Sequence, residues 1–167
     1  MTHDHYRTIT LANGCFWCFD AVVRRARGVI DAVSGYIGGH VDNPTYRQVC
    51  AGTTGHAEAV AVTYDPDTIP EHVILGMFFT THDPTSLNRQ GHDVGTQYRS
   101  AFYTDTEDEA EFIRGWVAEY GQSLIDAGFG PITTEVQSGV DYFLAEDEHQ
   151  QYLHKVPNGY CPHHSTG

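Results

Sequence analysis

Five runs rich in β-branched and aromatic residues interleave with three stretches of helical periodicity, and that order limits the folds open to the chain more than any other feature. The strand runs cover residues 6–11, 29–34, 57–64, 97–103 and 132–136. No helical pattern separates the second run from the third. Strict strand–helix alternation therefore fails, and the pattern predicts an α+β protein: a two-layer α/β sandwich, with helices packed on a mixed sheet. The clearest helix spans 106–128, where Ile113, Trp116, Val117, Tyr120 and Leu124 share a face, acidic residues crowd the start, and Gly128 and Gly130 stop it. A second runs over 15–27, with Phe19, Val22, Val23 and Ala26 as its stripe, arginines at its end and Gly28 beyond. A third follows Thr68, with Pro70 in its first turn and Val73, Ile74, Met77 and Phe78 facing inward. Residues 155–167 hold Pro157, Gly159 and Pro162 without periodicity, which predicts a mobile tail on a single domain spanning 1–167.

A length of 167 residues suits one domain with a full core. Nine Lys and Arg stand against 22 Asp and Glu, a net charge of −13, which repels phosphates and argues against nucleic acid or anionic lipid as partner. No apolar run approaches the ~18 residues of a membrane span. The first residues lack a charged-then-apolar signal region, so a cytoplasmic location is expected. Four cysteines, Cys15, Cys18, Cys50 and Cys161, then suggest redox chemistry, metal binding or burial rather than a structural disulfide framework.

Cys15 follows a strand and the turn Ala12-Asn13-Gly14, and opens a helix. A first-turn sulfur faces unpaired N–H groups and the positive dipole end, so Cys15 is expected to be a thiolate nucleophile. In the run Ala57 to Tyr64, Glu58 shares a face with Val60, Val62 and Tyr64. A carboxyl at the head of an apolar face is desolvated, stays protonated near neutrality, and can donate a proton. A glycine-hinged loop carries Asp93 and leads to Tyr98; another glycine-hinged turn carries Tyr36. Cys50 reads as a small buried hydrophobe.

Cys15-x-x-Cys18 after a strand also has the local layout of a thiol–disulfide oxidoreductase, which leaves Glu58, Tyr36 and the 90–99 loop without a role. A metal-binding module would draw on the eleven histidines, with Cys161 beside His163 and His164, and on His3 and His5 at the other end. Ligand number and spacing fall short, and no metal is expected.

The run Gly14-Cys15-Phe16-Trp17 resembles the nucleophile motif of the peptide-methionine (S)-S-oxide reductases, the A-type methionine sulfoxide reductases. Similar in the same order are Gly35-Tyr36 with Gly38-Gly39, Thr45-Tyr46, Gly55-His56-Ala57-Glu58-Ala59-Val60, His82-Asp83-Pro84-Thr85, the Gln90–Arg99 loop, and Ala145-Glu146 with His149-Gln150. The resemblance implies that Cys15 attacks the sulfoxide sulfur and that Glu58 protonates the departing oxygen with help from Tyr36 and Tyr98. It also implies that Asp93 holds the site by hydrogen bonding and that Phe16 and Trp17 cradle the S-methyl group. The implied enzyme is a monomer without metal or organic cofactor; it acts on methionine sulfoxide and is reset by thioredoxin or a similar dithiol. The chemistry is consistent: a sulfoxide has an electrophilic sulfur and a basic oxygen, and the sulfenic acid left on the nucleophile condenses with a second thiol. Where many family members carry Gly-x-Glu, this chain has Cys18, Phe19 and Asp20. Either Cys161 on the tail, favoured because a flexible segment adapts to disulfide geometry, or Cys18 one turn along the helix would resolve Cys15.

Overall fold

The computed structural model describes residues 5–161. In chain order the elements are β1 (Arg7–Asn13), α1 (Phe16–Val23), β2 (Val29–Ile37), α2 (Tyr46–Cys50), β3 (Ala57–Tyr64) and α3 (Glu71–Thr80). A hairpin of β4 (Arg89–Gln90) and β5 (Asp93–Val94) follows, then β6 (Ser100–Thr104), α4 (Glu107–Asp126), β7 (Glu135–Ser138), β8 (Tyr142–Leu144) and α5 (Tyr152–Lys155).

Six strands form one sheet in the order β7-β6-β1-β3-β2-β8. All neighbours run antiparallel except β6 and β7, so the sheet is mixed as expected. Period-two alternation splits its residues between two clusters. Ile9, Leu11, Val60, Val62, Tyr64 and Phe102 join Phe19, Val23, Ile74, Phe78 and Ile113 in the main core. Ala12, Ile37, Ala57, Ala59, Ala101 and Tyr103 form the second, smaller cluster. The alanines are what let the 140–142 segment lie close there, with Val140 and Tyr142 packed against them.

Local chemistry sets the helix ends. Thr106 caps α4 by accepting from Glu109 N–H at 3.3 Å, and Glu107, Asp108 and Glu109 sit at the positive end of the dipole. At its far end Phe129 N–H reaches Leu124 O and Gly128 N–H reaches Ile125 O, a Schellman closure on a left-handed Gly128. Helix α1 stops at Val23, four residues before the predicted end, because the chain turns through a left-handed Gly28 into β2. Pro70 caps α3 from outside instead of entering its first turn. Residues 97 and 98, expected to open a strand, instead belong to a 3-10 turn over 96–98 after Gly95, and β6 begins only at Ser100. The short α2, made by the capping box Thr45–Gln48, and the edge strand β8 were not anticipated.

Candidate active site

Strand β1 ends on a tight turn at Gly14 (φ +105°), where a Cβ would lie 2.8 Å from the Gln90 side chain. Gln90 is itself fixed: its amide accepts from Asp83 N–H at 3.0 Å and donates to Asp83 O at 2.7 Å. That turn sets Cys15 as the residue capping α1, with its sulfur beside the N–H groups of Trp17 and Cys18.

Glu58 lies opposite. It is 1% exposed, and its Oε1 accepts from Phe16 N–H at 3.3 Å while Oε2 has no hydrogen-bond partner. Burial pushes its carboxyl up to about 8, against the pull of the Phe16 N–H, and Asp93 pushes it further. Glu58 is therefore mostly a protonated donor at neutral pH, as its place on an apolar strand face predicts.

The charge on Cys15 departs from expectation. Cys15 is 5% exposed, and burial drives its thiol far above the ordinary range; Glu58 and Asp93 act in the same direction. The two backbone N–H groups pull back but do not prevail. The resting sulfur is a thiol, not the predicted thiolate, because a helix start offers little to a charge removed from water.

Two aromatic residues from the first turn of α1 head an aromatic cluster beside this pair. Phe16 stacks on Tyr46 with centroids 6.3 Å apart, and Trp17 stacks on Tyr152 at 3.9 Å. Tyr98 and Tyr46 both feel Glu58, and burial keeps both hydroxyls protonated. Tyr46 also hydrogen-bonds Cys50. Tyr36 does not meet the expectation of a hydroxyl offered to substrate. It is 0% exposed and its OH donates to Glu146 Oε1 at 3.0 Å. The other Glu146 oxygen accepts Tyr46 N–H at 3.0 Å, so the Tyr36 hydroxyl is engaged in holding Tyr46, while its ring packs on Phe16 at 5.8 Å. Tyr46 is the residue the sequence reading missed; the Thr45-x-x-Gln48 cap signals the helix that presents it.

Asp93 Oδ1 accepts from Tyr160 OH at 3.2 Å, and its Oδ2 is buried without a partner. Tyr160 precedes Cys161, which forms a disulfide with Cys18 across a Cα–Cα distance of 5.5 Å. The two candidate resolving thiols are thus joined to each other and Cys15 is free, so neither expected pairing with Cys15 is the one present. Cys50 is exposed, not buried: in the single turn of α2 the inward position is Val49.

Among the described residues, the groups with metal-ligand spacing are His5, Asp65 and Asp67, and Glu146, Glu148 and His149. Neither includes a cysteine. The second does not suit a cation, because His149 Nδ1 accepts Trp17 Nε1–H at 3.1 Å, which leaves the ring proton on Nε2 towards the carboxylates. His3, His163 and His164 lie outside the described residues, and Cys161 is spent in the disulfide. No helix among the described residues is long and apolar enough to cross a membrane.

A buried thiol beside a protonated carboxyl and an aromatic cluster, with a disulfide that reaches an exposed cysteine alongside, belongs to enzymes that carry out redox chemistry through cysteine. Comparison with known proteins narrows the class. The family model described as peptide methionine sulfoxide reductase matches residues 7–166, and the chain belongs to that family. It is 53% identical over 163 residues to the peptide methionine sulfoxide reductase MsrA of Corynebacterium efficiens, covering 96% of this chain and 75% of that one. Its fold matches methionine sulfoxide reductase A of Corynebacterium diphtheriae with a TM-score of 0.88 and 45% identity, over 99% of this chain and 82% of that one. It matches reduced Mxr1 of Saccharomyces cerevisiae with a TM-score of 0.90 and 31% identity, over 99% and 95%. Mxr1 has also been solved in complex with Trx2; that likeness, at 21% identity and a TM-score of 0.65 over 99% and 94%, is one of fold.

Proposed function

We propose that this chain reduces methionine (S)-sulfoxide, free or within proteins, to methionine, acting as a cytoplasmic monomer in repair of oxidised protein. The observation that carries the reading is the pairing of Cys15 with Glu58, close enough to feel each other's charge and tied through the Phe16 N–H. Phe16 and Trp17 hold the S-methyl group. Glu58 gives its proton to the sulfoxide oxygen, with Tyr98 and Tyr46 as hydroxyl donors, while Asp93 holds Tyr160 and the rim. The Cys15 sulfur attacks the sulfoxide sulfur, and as the protonated oxygen passes to Cys15 the substrate S–O bond and the transient S–S bond both break. Substrate sulfur is reduced by two electrons, Cys15 is oxidised by two to the sulfenic acid, and the thiol proton returns to Glu58.

Cys18 then condenses with the sulfenic acid, releasing water, and Cys161 attacks Cys18 to free Cys15. The Cys18–Cys161 disulfide supports this order, because it is the product such an exchange leaves. Cys161 is exposed, where thioredoxin or a similar dithiol can reach the bridge. Mass spectrometry after one turnover without reductant tests the scheme. A Cys18–Cys161 bridge is expected in the native chain, and a Cys15–Cys18 bridge in Cys161→Ser. A Cys161→Ser chain that turns over normally with thioredoxin refutes it.

A further inference from the structure

The segment Glu146-Asp147-Glu148-His149, which follows β8, packs its histidine on the aromatic cluster beside Cys15 and Glu58, and the reaction scheme leaves that histidine without a task. His149 is 5% exposed. Its ring lies 4.2 Å from that of Tyr46, 5.6 Å from Phe16 and 5.8 Å from Trp17, on which it stacks at 18°. Indole is a donor only, so the 3.1 Å contact from Trp17 Nε1 requires a lone pair on Nδ1. The proton then sits on Nε2, which is buried without a hydrogen-bond partner, 3.6 Å from Glu148 Oε1. A buried N–H left unsatisfied is costly. The ring tolerates that cost where its other nitrogen fixes the indole.

We propose that His149 is the positioning residue of the methyl-binding wall: Nδ1 holds the Trp17 indole while the ring face holds Tyr46, which together set the width of the slot for the substrate's S-alkyl group. This rests on the sulfoxide reductase reading above, and it makes His149 a determinant of the preference for methyl over larger alkyl sulfoxides. Burial lowers the affinity of the ring for a second proton, against the pull of Glu146 and Glu148, so the accepting form persists at neutral pH.

Asparagine can place an amide oxygen where Nδ1 stands, glutamine places its amide near Nε2, and phenylalanine keeps the ring without an acceptor. The reduced full-length chain carries two tryptophans, Trp17 and Trp116, so two indole N–H resonances identify the contact by ¹⁵N NMR, assigned with Trp116→Phe. In His149→Phe and His149→Gln the Trp17 resonance should shift to that of a free indole, with KM for methionine sulfoxide up roughly 2- to 10-fold, kcat changed less, and the methyl-over-ethyl preference reduced. His149→Asn should recover most of both. If His149→Phe does not fold, His149→Gln gives the same readings. An unmoved resonance, a displaced one with unchanged KM, or equal impairment in all three variants overturns the proposal. Absence of sulfoxide reduction in every form, native included, rejects the activity instead, and the resonance still reports the contact.

Discussion

Glu58 sets activity and stability against each other in a way that can be titrated. Its carboxyl is held at about 8 in the fold against 4.5 in the open chain. Between those values the folded protein keeps a proton that the unfolded chain releases, so stability falls as pH rises, beginning near 4.5 and levelling off above 8. The full penalty, at about 1.4 kcal/mol per pH unit, is on the order of 5 kcal/mol, of which roughly 3 kcal/mol accrues between pH 5 and 7.5. Glu58→Gln removes the titration and keeps an acceptor for the Phe16 N–H. Urea unfolding of both reduced proteins across pH 5–8.5 isolates the effect, since Asp20, Glu71 and Asp93, also raised by burial, titrate in both. The variant should gain on the native chain by about 3 kcal/mol from pH 5 to 7.5 while losing sulfoxide reduction by ~10²–10⁴-fold. Native turnover should also decline as pH passes about 8 and the acid form is lost. Parallel stability curves within ~0.5 kcal/mol would refute the reasoning, because Glu58 would then titrate alike folded and unfolded.

The hydroxyl pair and the nucleophile's charge can be checked more simply. Tyr46→Phe and Tyr98→Phe should each slow the chemical step by roughly 2- to 10-fold in single-turnover assays, and together by more than either alone. Tyr36→Phe should act less on rate, and a larger effect than Tyr46→Phe would return Tyr36 to the substrate. With the reduced chain at pH 8, iodoacetamide should alkylate exposed Cys50 and Cys161 well before Cys15, as read by peptide mass spectrometry. Labelling of Cys15 at the pace of Cys50 would mean a resting thiolate.

What the sequence made legible, and what it did not, divides along contact range. Glu58 was readable because its neighbours at i+2, i+4 and i+6 are Val60, Val62 and Tyr64, and period two alone puts it on the buried face. The place of Cys15 was readable from the strand–turn–helix punctuation around Gly14. Its protonation was not, because burial depth and the facing Glu58 come from a strand more than forty residues away. Tyr36 and Tyr46 look equivalent along the chain, each near glycine or turn residues. What separates them is which group engages Glu146, a contact across 110 and 100 residues with no local signature. The 3-10 turn at residues 96–98 has the aromatic and β-branched character of a strand, and Gly95 before it, at φ +149°, redirects the backbone. The disulfide partner was a choice between two thiols, and the fold uses both.

The raised Cys15 thiol and the outlying disulfide make sense as one arrangement. A thiolate held at rest where small oxidants reach it would pass from sulfenic to sulfinic acid and be lost. A thiol kept neutral by burial reacts little with them. A bound sulfoxide changes the balance: as its oxygen draws the Glu58 proton, a basic carboxylate and an electron-poor sulfur both appear within reach of Cys15, which favours loss of the thiol proton at the moment the sulfur is needed. The same seclusion would bar a protein reductant. Transfer of the oxidation from Cys15 to Cys18 and on to exposed Cys161 moves it from a buried sulfur to a surface that a dithiol can meet. On this reasoning Cys18, buried at 1% exposure beside Cys15 and bonded to the tail, is the obligatory intermediate between the two environments. Its replacement should slow recycling by thioredoxin far more than reduction of the first equivalent of sulfoxide.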